Sequence, residues 1–150
     1  MNDTTTGDAV VQEITIAATA DRIFDAVTDP QERLNWWGRT EQAKTTQFDS
    51  DLRPGGSYLM NVIGGGGRFT IRGTYREIVR PSLVSFTFLP SWEPTPTETL
   101  VRFDIIERGN ECLVRVTHTG IPSEEARKNY KTGWGMNLRW LNEYVDETKG

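Results

Sequence analysis

The sequence is poor in the residues from which disulfide bonds and transition-metal sites are built. It contains one cysteine, Cys112, and one histidine, His118. A single cysteine excludes a disulfide bond within the chain, so nothing indicates an oxidising compartment. Transition-metal sites gather several cysteine and histidine ligands. We therefore expect no metal ion and no other cofactor.

Long apolar runs and blocks of like charge are also missing. The apolar runs fall far short of the ~20 residues that span a bilayer, and the polar residues 1–8 lack the basic and then apolar order of a secretory signal. The chain carries 17 basic and 21 acidic side chains, without the clustered basic face that nucleic acid requires. We expect a cytoplasmic protein that binds no nucleic acid and inserts into no membrane.

The apolar pattern predicts one α+β domain over residues 1–150, with residues 1–8 disordered. Two short helices follow the first strand, because Thr19 and Asp29 are suitable N-caps and Pro30 suits a first helical position. The second helix is expected to end near Trp36-Trp37-Gly38. Alternating segments predict a curved antiparallel sheet of six or seven strands, at residues 9–17, 43–48, 57–63, 68–79, 83–89, 100–107 and 111–119.

A long C-terminal helix completes the predicted fold. Ser123 is its expected N-cap, and an apolar face recurs every three or four residues from Tyr130 to Val145. A sheet curved around such a helix often leaves space between the layers. We therefore predict an apolar cavity with these ligand-binding residues: Trp36, Trp37, Tyr58, Met60, Phe69, Ile71, Tyr75, Phe86, Phe88, Phe103, His118, Trp134 and Leu138.

Alternation along its strand points His118 into the predicted interior. A buried histidine could act as an acid or base near neutral pH, could contact a ligand, or could be a hydrogen-bonded structural residue. The structural interpretation is favoured, and the other two stay open. No arrangement of nucleophile, base and acid can be proposed from the sequence, so no catalytic residue is assigned.

Three glycine- or proline-rich features have alternative interpretations. Residues 64–67 are four glycines. A phosphate loop would continue into Lys-Ser/Thr and a helix, so a flexible hairpin is favoured. A place for this hairpin at the cavity mouth is a further hypothesis. Trp92 lies between prolines and is a partner anchor, a lid, or a residue folded onto the sheet. Gly133 and Gly135 flank Trp134 and indicate either a close approach to the helix or a kink.

Several short motifs occur in a characteristic order along the chain. They are Ile16-Ala17-Ala18-Thr19-Ala20 with Ile23-Phe24, Thr28-Asp29-Pro30, Trp36-Trp37-Gly38, Asp51-Leu52-Arg53-Pro54-Gly55-Gly56 with Tyr58, Gly73-Thr74-Tyr75, Leu83-Val84-Ser85-Phe86, Thr117-His118-Thr119-Gly120-Ile121-Pro122, and Gly133-Trp134 with Leu138, Leu141 and Tyr144. In this order, from about residue 10 to residue 145, the sequence resembles the bacterial homologues of the activator of heat-shock-protein-90 ATPase. That family is part of the START-related, birch-pollen-allergen-like superfamily, also called SRPBCC.

The resemblance implies the helix-grip fold, in which a seven-stranded sheet encloses a C-terminal helix and a hydrophobic pocket. It does not imply one function, since the superfamily includes lipid carriers, cyclases and antibiotic-sequestering proteins. The leading hypothesis is non-enzymatic binding of a small hydrophobic or aromatic molecule. One alternative is a polyketide cyclase or aromatase that uses His118 and Tyr75.

Another alternative is a chaperone-associated stress-response protein. The eukaryotic activator carries a separate N-terminal domain that supplies much of its chaperone contact. We expect no room for such a domain in this chain, so chaperone contact is not the favoured hypothesis. A homodimer stays open.

Overall fold

The structure, a computed structural model, describes residues 9–93 and 97–149. The predicted disorder of residues 1–8 lies outside these ranges. The elements are β1 (Val10–Ile16), α1 (Ala20–Thr28), α2 (Pro30–Arg33), β2 (Arg39–Thr40), β3 (Ala43–Ser50), β4 (Ser57–Gly64), β5 (Gly67–Val79), β6 (Leu83–Pro90), β7 (Thr99–Arg108), β8 (Glu111–Thr119) and α3 (Glu124–Glu147).

The strands form one antiparallel sheet in the order β1-β8-β7-β6-β5-β4-β3-β2. Consecutive strands from β2 to β8 are neighbours, and β1 closes the order beside β8, with Val10 opposite His118. This sheet with one long helix confirms the predicted α+β class. Within the described residues the sheet has eight strands where six or seven were predicted, because the two-residue β2 pairs with the start of β3. So short a segment leaves no alternation to detect.

The two short helices begin at the predicted caps. The Thr19 hydroxyl accepts a hydrogen bond from the Arg22 amide, and the Asp29 carboxylate accepts from the amides of Gln31 and Glu32. The second helix ends at Arg33, earlier than predicted. Beyond Arg33 the Asn35 and Trp36 amides bond to carbonyls only three residues back, which is a tighter turn than an α-helix. The Trp36 indole is buried, and its Nε1 donates to the Ala26 carbonyl over 2.7 Å.

Helix α3 begins after its N-cap Ser123 and runs unbroken through both Gly133 and Gly135. The prediction of an apolar face is confirmed, since Trp134, Leu138, Leu141 and Val145 are all buried. The two glycines do not divide the helix into two pieces. The part of this helix from its start to Trp140 borders open space.

The centre of the core contains a charged side chain, Arg33, which is only 2% exposed. Its Nε and Nη2 both donate to the Val27 carbonyl, over 2.9 and 2.6 Å, and its Nη1 lies 3.3 Å from the Met60 sulfur. The guanidinium also lies 4.9 Å from the Trp37 ring centroid and 4.2 Å from that of Phe48. Burial lowers the pKa of Arg33 to about 10. The side chain therefore stays charged at neutral pH and fills space that the sequence pattern had suggested to be cavity.

Candidate ligand-binding cleft

An aromatic cleft of about 560 Å³ lies between the N-terminal half of α3 and the segment that follows β6. Its walls are Trp37, Phe88, Trp92, Tyr130 and Trp134, and its remaining lining is Glu93, Ser123, Glu125, Ala126, Asn129, Gly133 and Asn137. The Trp37 and Trp134 rings meet edge to face, with centroids 5.2 Å apart. The volume falls within the range of small-molecule sites, roughly 300–1,000 Å³.

A second cleft of about 460 Å³ adjoins the first one. Both clefts share the lining residues Trp37, Trp92, Gly133 and Asn137. The second cleft continues along Val62, Ile63, Phe69, Ile71, Met136 and Trp140, and reaches Gly64 and Gly65 of the hairpin. We call the pair the Trp92 clefts. The glycine hairpin thus lies at the edge of the second cleft.

Trp92 lines both clefts and packs against aromatic neighbours. Its ring centroid lies 5.7 Å from Phe69, 6.3 Å from Phe88 and 6.4 Å from Tyr130. The side chain is nevertheless 38% exposed. Of the alternatives considered, the ring is folded onto the sheet and at the same time covers the space beside α3. A ligand in either cleft would bury part of its exposed face.

Gly133 gives the clefts access to the backbone of α3. A Cβ atom placed there would meet no heavy atom within 4 Å outside the adjacent helix backbone. At Gly135 a Cβ atom would lie 3.4 Å from Nε2 of Gln12 in β1, an ordinary contact. Gly133 therefore opens the helix surface toward the clefts, whereas Gly135 faces the sheet.

His118 is fully buried and its two ring nitrogens are both hydrogen-bonded. Nδ1 accepts from Trp134 Nε1 over 3.1 Å, and Nε2 lies 2.7 Å from the Thr99 hydroxyl. Because an indole N–H can only donate, Nδ1 is the acceptor and Nε2 carries the proton. The Thr99 hydroxyl in turn donates a hydrogen bond to the Phe88 carbonyl over 3.1 Å. Burial lowers the pKa of His118 to about 4, so the ring is neutral at physiological pH.

A hydrogen bond between Tyr130 and Glu93 borders the first cleft. The Tyr130 hydroxyl donates to Glu93 Oε2 over 3.0 Å, and the Tyr130 ring centroid lies 4.6 Å from that of His118. Burial and the Glu93 carboxylate raise the pKa of Tyr130. The Tyr130 hydroxyl therefore stays neutral, and its hydrogen bond to Glu93 joins the segment after β6 to α3.

The structure divides the predicted ligand-binding residues between the clefts and the packed core. Trp37, Phe88 and Trp134 line the first cleft, and Trp37, Phe69 and Ile71 line the second. The remaining residues are buried against one another and are not among those lining either cleft: Trp36, Tyr58, Met60, Tyr75, Phe86, Phe103, His118 and Leu138. Contacts such as Phe86–Phe103 and Tyr58–Phe86 fill the deep part of the fold.

His118 and Tyr75, the pair considered for acid-base chemistry, bind different partners. The Tyr75 hydroxyl lies 2.6 Å from the Ser50 hydroxyl, and its ring packs on Tyr58 and Phe86. His118 instead contacts Phe88, Tyr130 and Trp134. Neither of the two polar tips is presented to the Trp92 clefts.

Sequence reasoning missed Arg33 in the core, and Glu93 and Asn137 in the clefts. Arg33 occupies a polar position after a helix start and resembles a solvent-exposed residue. Asn137 follows the buried Trp134 by three residues, which places it on the flank of the same helix face. That spacing is the signal that could have marked it.

Comparison with known proteins agrees with this fold. No curated protein matches the chain. Protein CV1439 of Chromobacterium violaceum superposes with a TM-score of 0.84 at 20% identity, covering 93% of this chain and 98% of that one. The AHSA1 protein SPO3351 of Silicibacter pomeroyi gives 0.80 at 23% identity, with coverage of 94% and 99%. CalU16 of Micromonospora echinospora gives 0.70 at 20% identity, with coverage of 91% and 75%.

Within residues 9–93 and 97–149, none of the helices has the length and apolarity to cross a membrane. The family model for the activator of Hsp90 ATPase homolog 1-like proteins matches residues 17–146. That match includes both short helices, every strand after β1 and nearly all of α3. The chain therefore belongs to the activator of Hsp90 ATPase homolog 1-like family.

Proposed function

We propose that this protein binds a small hydrophobic or aromatic molecule in the Trp92 clefts. The observation that carries this proposal is the aromatic wall formed by Trp37, Phe88, Trp92, Tyr130 and Trp134 around about 560 Å³ of open space. A curled sheet with one long helix suits a ligand-binding domain, and the clefts supply a location for the ligand.

The ring geometry supports an aromatic occupant. The rings around the first cleft meet each other at varied angles, from 42° between Trp92 and Tyr130 to 81° between Phe88 and Tyr130. Such a wall offers both ring faces and ring edges, which are the two surfaces that a further aromatic ring prefers to contact. A ligand that covered the exposed part of Trp92 would also gain about 25 cal/mol for each Å² of apolar surface that it buried.

The hydrogen-bonding state of the interior favours binding without chemistry. His118 is held between Trp134 and Thr99, and Tyr75 is held by Ser50. A general acid or base must reach the substrate within hydrogen-bond distance. In this arrangement the histidine stiffens the cleft wall by fixing the Trp134 ring.

The test compares three forms of the purified protein by mass spectrometry, under native and then denaturing conditions. They are the unchanged protein, a Gly133→Leu variant and a Gly135→Ala variant. A leucine at position 133 projects into the clefts, and its helix propensity exceeds that of glycine by roughly 0.8 kcal/mol. Gly135→Ala improves the helix in a similar way without filling the clefts.

We expect an added mass that disappears on denaturation. It should be present in the unchanged protein and in Gly135→Ala, and absent from Gly133→Leu. An added mass retained by Gly133→Leu would place the ligand elsewhere and would contradict the proposal. Thermal unfolding of both variants provides the control, because neither is expected to lose stability. If no form carries an added mass, the same three forms are titrated with 2-naphthol, and absence of binding would contradict the proposal.

A further inference from the structure

Asn137 lines both clefts, and its side chain carries an unpaired hydrogen-bond acceptor. Its Oδ1 atom is buried and accepts no hydrogen bond from the residues that the structure describes. It is the one buried side-chain nitrogen or oxygen in those residues without a partner. Leaving a buried acceptor unpaired costs about 1–3 kcal/mol. An acceptor with this cost, on a residue that lines both clefts, would gain a partner if the side chain turned its Oδ1 toward a donor on a ligand.

The charged residues that line the first cleft are acidic, so they favour the same kind of ligand group as this acceptor does. Glu93 and Glu125 are its charged lining residues, and none of the described lining residues is basic. The Glu93 carboxylate is close enough to accept from the Tyr130 hydroxyl. A carboxylate or phosphate bound in the first cleft would meet these two acids, with no basic residue in the described lining of that cleft. A hydroxyl or an amine would meet three acceptors.

The position of Asn137 also indicates where the donor lies on the ligand. Asn137 lines both clefts, together with Trp37, Trp92 and Gly133. The second cleft extends from this junction along apolar side chains such as Val62, Phe69 and Ile71. A donor bound at the junction would leave an apolar part of the molecule to occupy that second cleft.

We propose that Asn137 is a specificity-determining residue, and that the ligand is a hydrogen-bond donor of the phenol, alcohol or amine class rather than an acid. The donor binds Asn137 Oδ1, and the apolar body packs beneath Trp92. This inference rests on the proposed function, because it assigns the polar contact within the same clefts. It disfavours ligands that place a carboxylate in the first cleft, since Lys44, a basic lining residue, belongs to the second cleft.

Three probes of nearly equal size test the inference by isothermal titration calorimetry. 2-Naphthol carries a donor, 2-methoxynaphthalene has that donor blocked, and 2-naphthoate carries a carboxylate. We expect 2-naphthol to bind about tenfold more tightly than 2-methoxynaphthalene, the size of effect that one hydrogen bond to a buried acceptor supplies. We expect 2-naphthoate to bind most weakly of the three.

Asn137→Leu provides the matched variant, since leucine retains the volume and removes the acceptor. The ratio of the affinity for 2-naphthol to the affinity for 2-methoxynaphthalene should fall to about one, chiefly because 2-naphthol binds more weakly. A preference for 2-naphthol that survives the substitution would overturn the role of Asn137. Asn137→Ala serves the same comparison if the leucine variant does not fold.

The outcomes separate this inference from the proposed function. Equal binding of 2-naphthol and 2-methoxynaphthalene to the unchanged protein would overturn the donor requirement and leave hydrophobic binding intact. Preferred binding of 2-naphthoate would overturn the inference in the same way. If none of the three probes binds, both the inference and the proposed function fail.

Discussion

Trp134 Nε1 donates a hydrogen bond to His118 Nδ1 across 3.1 Å, which joins α3 to β8. The bond fixes the histidine tautomer and holds the Trp134 ring where it lines the first cleft. The same histidine reaches Thr99 through its other nitrogen. A residue that the sequence offers as a candidate for catalysis therefore positions an aromatic wall.

The first prediction concerns the protonation of His118. Burial lowers its pKa to about 4, against about 6.5 in an unfolded chain. Because the folded pKa is the lower one, the stabilising contribution is complete above pH 6.5 and is lost as the pH falls toward 4. The loss is on the order of 3 kcal/mol in the free energy of unfolding.

Two measurements check this prediction. The imidazole signals in an NMR titration are unambiguous because the chain has one histidine, and they should not move between pH 8 and pH 5.5. Urea unfolding at pH 7 and pH 5 should show a smaller pH effect in His118→Gln than in the unchanged protein. A histidine that titrated near pH 6.5 would contradict the hydrogen-bonded arrangement.

The second prediction concerns the buried Arg33 and the end of α1. The Arg33 guanidinium donates two hydrogen bonds to the Val27 carbonyl and contacts the Trp37 and Phe48 rings. Lysine would keep the charge and lose this planar geometry, whereas methionine would keep much of the volume without a buried charge. We expect Arg33→Met to lower the free energy of unfolding by about 1–3 kcal/mol, through the unpaired carbonyl. We expect Arg33→Lys to lower it further.

Urea unfolding at pH 7 measures both variants. The order of the two is the informative result, because it separates geometry from charge. An Arg33→Lys variant as stable as the unchanged protein would show that the charge alone matters. That outcome would contradict the role assigned to the guanidinium.

The third prediction concerns the glycine hairpin at the edge of the second cleft. Strands β4 and β5 pair as far as Gly64 and Gly67, so the loop has two residues, with φ of +54° at Gly65 and +82° at Gly66. Asparagine tolerates this conformation and favours the same turn. Gly65→Asn should therefore retain the fold while reducing backbone freedom, and the association rate of 2-naphthol should fall several-fold.

Stopped-flow tryptophan fluorescence measures this rate. Gly109→Asn is the matched control, because Gly109 also has a positive φ, +66°, and lies in the turn between β7 and β8 away from the clefts. Association should be unchanged in the control. Equal association rates in Gly65→Asn and the unchanged protein would show that the hairpin does not control ligand entry.

The sequence predicts those parts of the fold that depend on local pattern. The β8 segment and the α3 start at Ser123 are confirmed, because strict alternation and an N-cap are properties of neighbouring residues. The inward orientation of His118 follows from the same alternation. The family resemblance is confirmed by the match over residues 17–146, and the α+β architecture that it implies is confirmed by the sheet and the long C-terminal helix.

The extent and the place of open space could not be predicted in this way. Whether a concave sheet is empty depends on how distant side chains interlock, and here Arg33 reaches the centre from a helix end. The position of Trp92 depends on the path of the chain after β6, which no periodicity encodes. Asn137 becomes notable only when its Oδ1 is seen to lack a partner.

The most direct test of ligand binding in the Trp92 clefts is a ¹H–¹⁵N NMR titration of the tryptophan indole groups with 2-naphthol. The chain has five tryptophans; Trp37, Trp92, Trp134 and Trp140 line the clefts. Trp36 is fully buried and bonded to the Ala26 carbonyl, so it is an internal control. We predict saturable shifts at Trp92 and Trp37 with Trp36 unmoved. Indole signals that do not respond, or shifts confined to Trp36, would contradict ligand binding at this site.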